Sequence, residues 1–192
     1  IRSCLVGSEM CIRDSLLIAQ QDYAGAIVYV QESLRQAAPN RPQGLLIRLF
    51  QLHWLSGDIE AARSYLAEYI ADRGGRVEVN PRHFRSWREI NIAAFWLEHS
   101  EPGSTEERRA REIVAEVHAN LSEMTNMGWH VPDMFVLVAA TEVLIDNTEA
   151  AIAQINRAID LGHKNQGRLL SNPIFDSIRD TPEFVNARER ID

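Results

Sequence analysis

The 192-residue chain sets 27 acidic side chains against 20 basic ones, a formal net charge of −7, and is 45% hydrophobic. That acidity argues against a phosphate-backbone binder, which gains affinity by clustering Lys and Arg and releasing counterions, so no nucleic acid is expected as a partner. The hydrophobic share supplies one sizeable core or one continuous repeat core in a single domain, and the longest apolar run, Met134 to Ala140, is far short of the roughly 20 residues that cross a bilayer.

Residues 1–15 stand apart from the rest. Leu5-Val6-Gly7-Ser8-Glu9-Met10-Cys11-Ile12-Arg13-Asp14 resembles a translated sequencing-adapter read-through more than any protein family. Glu9, Arg13 and Asp14 interrupt the apolar character that a secretory leader needs. Setting residues 1–15 aside removes Arg2 and Arg13 with Glu9 and Asp14, so the charge balance is unchanged. It also removes Cys4 and Cys11, the only cysteines, and with them any disulfide framework, thiol nucleophile or cysteine metal site. The expected domain is therefore 16–192, an N-terminally truncated piece whose natural start is lost.

From there on, apolar residues recur at three- and four-residue spacing. Ala26, Ile27, Val30 and Leu34 make the first stripe, and Ile59, Ala62, Leu66, Tyr69 and Ile70 the second. Ala110, Ile113, Val114, Val117 and Leu121 make the third, followed by Ala151, Ile152, Ile155, Ala158 and Ile159. Between them lie the more uniformly apolar helices Leu45 to Leu55, Phe84 to Leu97 and Met134 to Ile145, a pattern expected of helices buried between neighbours. The one alternating stretch, Arg76-Val77-Glu78-Val79-Asn80, is bounded by Gly74-Gly75 and Pro81 and reads as loop. Gly57-Asp58, Ser104 with Glu107, Asn147, Asn172-Pro173 and Thr181-Pro182 read as helix starts. Gly74 and Gly162 read as left-handed helix ends. The fold class is all-α, built from antiparallel helical hairpins.

Asp22-Tyr23-Ala24-Gly25-Ala26 recurs as Asp58-Ile59-Glu60-Ala61-Ala62 and as Asn147-Thr148-Glu149-Ala150-Ala151. This pattern resembles the tetratricopeptide (TPR) repeat over residues 16–162. Gly57, Ala62, Ala139 and the pair Ala151/Ala158 match the family's turn and small-residue positions. Tyr69 stands where a later alanine is usual, and the repeat-ending proline appears only as Pro39. The resemblance implies hairpins stacked as a short solenoid. The end of the chain, Leu169-Leu170-Ser171-Asn172-Pro173-Ile174-Phe175 through Phe184, is similar to the closing segment of TPR modules that follow bacterial winged-helix regulators, nucleotide cyclases or kinases. It implies a C-terminal cap, with Asp192 as the natural end.

The chain carries no HExxH, P-loop, dinucleotide glycine turn, EF-hand loop or GxSxG elbow. His53, His83, His99, His118, His130 and His163 show no i,i+4 pairing, so neither a metal nor another cofactor is expected and the six are read as surface or boundary residues. Arg73, Arg76, Arg82, Arg85 and Arg88 crowd one loop and helix start, either as a solvated turn balanced by Asp72, Glu78 and Glu89 or as an anion contact. The single lysine, Lys164, among nineteen arginines reads as GC-rich coding and carries no functional weight. The aromatics Trp54, Phe95 and Trp96 lie on first helices, which in the resembled family line a peptide groove. The resemblance therefore implies a partner-binding face of Ile47, Gln51 and Trp54, then Arg88, Asn91 and Phe95, then Val136 and Ala140. The expected function is a non-enzymatic scaffold for a protein or peptide partner, the C-terminal TPR module of a larger bacterial signalling or regulatory protein. The alternative is a ligand-responsive module governing a lost upstream output domain. A cytoplasmic location is expected, or a periplasmic one if a transmembrane helix preceded the piece, and the oligomeric state stays open.

Overall fold

The same short turn, used repeatedly, sets the hairpins. In the computed structural model, which describes residues 16–18, 20–37, 42–80 and 86–191, all regular structure is helical and no strand forms among the described residues. Two compact units divide between Val77 and Glu78. The first holds α1 (Tyr23–Gln36), α2 (Gln43–Leu55) and α3 (Ile59–Asp72). There α2 packs on both α1 and α3.

The second unit holds α4 (Trp87–His99), α5 (Thr105–Asn126), α6 (Pro132–Leu144) and α7 (Thr148–Asp160), then α8 (Gln166–Ser171), a 3-10 turn at Pro173–Phe175 and α9 (Pro182–Glu189). Consecutive helices from α4 to α7 pack on one another, α6 also meets α4 and the Pro173–Phe175 turn, and α9 lies on α7. Helix α6 thus has neighbours all round, and every residue from Met134 to Val143 is buried. Its uniform apolarity follows from that position.

The helix stripes are buried at their small and central positions. Ala26, Val30 and Leu34 of α1 are buried, as are Ala62, Leu66 and Tyr69 of α3 and Ala151, Ile155 and Ala158 of α7. Ile27, Ile59, Ile70, Ile152 and Ile159 flank these stripes and are half-buried. On α5 all five expected residues, Ala110, Ile113, Val114, Val117 and Leu121, are buried. Burying a side chain such as Leu66 stabilises by about 1.5–3 kcal/mol.

Three hairpin turns share one geometry. The backbone N–H of Asp22 donates to the carbonyl of Leu17 (2.9 Å), that of Asp58 to His53 (2.9 Å) and that of Asn147 to Glu142 (2.9 Å). The residue before each of these three donors is left-handed: Gln21 at φ 59°, Gly57 at 79° and Asp146 at 61°. Each N-cap side chain then accepts from the backbone N–H three residues on, at Gly25, Ala61 and Ala150. This satisfies a donor that the helix itself cannot.

Helix α5 begins differently, with a variant of the capping box in which the glutamate reaches one residue before the cap. Ser104 Oγ accepts from Glu107 N (3.1 Å) while the Glu107 carboxylate accepts from the backbone N–H of Gly103. That backbone hydrogen bond first, and Arg111 after it, hold the Glu107 carboxyl below the usual glutamate range. The other expected starts also hold at Asn147 and Thr181, and Gly74 and Gly162 take the left-handed backbone. Asn172 caps the 3-10 turn rather than an α-helix. Residues 76–80 form a loop. The expected helix from Phe84 starts at Trp87 among the described residues, while Phe84 itself, residues 1–15 with their adapter resemblance, Pro39, Arg82, His83, Arg85 and Asp192 lie outside the described residues.

Candidate partner-binding surface

The expected partner-binding residues fall in both units. On α2, Ile47 and Trp54 are buried and Gln51 is half-buried. Trp54 stacks on Phe50, with ring centroids 6.1 Å apart and 16° between planes. A spacing of four and then three residues puts Ile47, Gln51 and Trp54 on one side of the helix. Of these, Gln51 offers a polar group at the surface.

In the second unit, Arg88 is the most exposed member of the set. Its guanidinium donates through Nε (2.9 Å) and Nη2 (2.7 Å) to one oxygen of Glu89, a carboxylate that is itself buried. The pairing fixes Arg88 and compensates a charge that would be costly to bury alone. Phe95, Val136 and Ala140 are fully buried, Phe95 against the edge of His99 at 4.8 Å. They serve the packing of α4 and α6 and present no surface to a ligand in this structure.

Asn91 is engaged by the chain itself. Its Oδ1 accepts from Nδ2 of Asn172 at 3.2 Å, across 81 positions of sequence. Asn172 is held on two further sides: its Oδ1 accepts from Ile174 N (3.1 Å) and its carbonyl from Arg179 Nη2 (3.1 Å). Arg179 also pairs with Asp176. Leu169, Ile174 and Phe175 are buried beside this link, and Phe175 meets Phe184 at 6.2 Å between centroids. The sequence marks Asn172-Pro173 as a helix start and the segment as a cap, but gives no sign that Asn172 pairs with Asn91.

Histidines take interior roles that the sequence did not signal. His53 and His163 are buried, contrary to a surface or boundary reading. His53 Nδ1 lies 3.2 Å from Oδ2 of Asp58 and its ring stacks on Tyr65 at 5.3 Å, so it joins the end of α2 to the cap of α3. In the corresponding α6–α7 turn the partners are Glu142 and Asn147, at 2.9 Å. His163 Nδ1 lies 3.1 Å from Asp133 and Nε2 lies 3.2 Å from the Asn165 carbonyl, tying the start of α6 to the loop after α7. His163 and Asp133 are 30 positions apart, beyond any motif.

A cleft of about 510 Å³ opens at that junction, lined by Val131, Pro132, Asp133, Gly162, His163, Lys164 and Asn165. Nearby along the chain, Met127, Trp129 and Leu161 are exposed. His130 stacks on Phe135, and Arg157 sits 4.2 Å over the Phe135 ring. Among the described residues no group of His, Cys, Asp and Glu is arranged to hold a metal. No described helix is long and apolar enough to cross a membrane. In comparisons with protein-family models, curated proteins and solved structures, nothing matches this chain.

Proposed function

We propose that the chain is a helical-repeat scaffold of the TPR type that binds a protein or peptide partner, and that it forms the C-terminal module of a larger bacterial signalling or regulatory protein. The observation that carries this reading is the recurrence of one turn at Asp22, Asp58 and Asn147, each followed four residues on by a fully buried alanine, Ala26, Ala62 or Ala151. Repeated hairpins of one design give each unit a row of first-helix side chains, the kind of surface on which a few residues anchor an extended or helical segment. Gln51 on α2 is the accessible member in the first unit and Arg88 on α4 in the second. Affinity capture with the whole chain as bait, repeated with Gln51→Ala and Arg88→Ala proteins, tests the reading. A partner retained by the wild type and lost by at least one folded variant supports it, and equal capture by all three contradicts it.

A second reading is a ligand-responsive module, with the open depression at His163, lined by Asp133, Lys164 and Asn165, as the place for a small polar compound. Under that reading a small polar compound stabilises the wild type against heat and loses its effect with Asp133→Ala. Thermal shifts that are equal in both proteins count against it.

A further inference from the structure

The α4–α6 face of the second unit already has an occupant, and it comes from the same chain. The Pro173–Phe175 turn packs on α6, and Asn172 reaches α4 through Asn91. One amide reads another, a proline presets the turn, and Ile174 and Phe175 enter buried positions. The Arg179 guanidinium holds the Asn172 carbonyl from the other side.

We propose that Asn172–Phe175 is a built-in occupant of a peptide-binding surface on α4 and α6. A partner peptide with the same succession of groups, an Asn-Pro turn followed by an aliphatic and an aromatic side chain, binds there by displacing it. The chemistry of the partner is read from the segment already seated: an amide for Asn91 and two apolar side chains for the buried positions. This inference rests on the scaffold reading and names its ligand for the second unit. A tethered occupant competes at an effective concentration on the order of millimolar, so the closed protein binds an external peptide weakly. Loosening the tethered copy raises the open fraction and tightens apparent binding in proportion.

The probe is a fluorescent peptide of residues 170–178, titrated by anisotropy into the full chain. Asn172→Ala, which weakens only the tethered copy, is expected to tighten peptide binding about two- to tenfold, and Arg179→Ala, which loosens the same segment from its other side, to act in the same direction. Adding Asn91→Ala to Asn172→Ala removes the reader of the incoming amide and reverses the gain. Peptide affinity that is the same for wild type, Asn172→Ala and Arg179→Ala proteins of unchanged helical circular dichroism overturns the proposal. Dimerisation of the Asn172→Ala protein without peptide binding also overturns it, because the occupant is then a second copy's segment. Neither failure touches a partner captured through Gln51, so the scaffold reading stands or falls separately.

Discussion

Asn172 donates from its side-chain amide to Asn91 over 3.2 Å, linking the segment before the Pro173–Phe175 turn to the first helix of the second unit. A part-buried, neutral hydrogen bond of this kind contributes about 0.5–1.5 kcal/mol. In a double-mutant cycle, Asn91→Ala and Asn172→Ala should therefore couple by about 0.5–1.5 kcal/mol in chemical denaturation. Strict additivity would mean that the two amides do not act on each other in solution.

Ala62 and Ala151 are fully buried where α3 and α7 approach their neighbours. Ala62→Leu and Ala151→Leu should each destabilise by about 1–3 kcal/mol through overpacking. Denaturation midpoints equal to wild type would remove close helix contact as the reason for alanine there.

Gly57 sits at φ 79° with nothing within 4 Å of an added Cβ, so Gly57→Ala tests backbone conformation alone. It should cost about 1 kcal/mol. At the matching position of the first turn, Gln21 at φ 59° carries the strain that glycine avoids, and Gln21→Gly should gain about 0.5 kcal/mol after its own entropy cost. Stability changes of the same sign would break the equivalence of the two turns.

Glu107 has its pKa lowered in the folded chain, first by the Gly103 N–H and then by Arg111. A depressed carboxyl stabilises the fold above its unfolded pKa, and that contribution is lost as pH falls through the lower folded value. Acidification below the usual glutamate range should therefore release the start of α5 and lower the protection of the Gly103 amide relative to its intrinsic exchange rate, while Glu107→Gln should abolish the pH dependence of that protection. An unchanged pH profile in the variant would assign the effect to other groups.

Much of the fold was legible because it depends on local periodicity and caps. The stripe on α5 is buried in full, and Asp58, Ser104, Asn147 and Thr181 start helices where a side-chain acceptor stood in the sequence. The apolar run of α6 signals its burial, but the same burial withdraws Val136 and Ala140 from any surface. Periodicity identifies a buried face without saying which neighbour covers it. The pairings of Asn91 with Asn172 and of His163 with Asp133 span 81 and 30 positions and join residue types that are ordinary on helix surfaces, so no local signal announces them.

The most direct test of the scaffold account is hydrogen exchange on the whole chain, free and bound to a partner recovered by affinity capture. Slowed exchange is expected over α2, Gln43–Leu55, or at the Arg88 end of α4, since Gln51 and Arg88 each offer a polar group to a partner within their own unit. Protection confined to the outer face of α5, or absent from both helices, would contradict it.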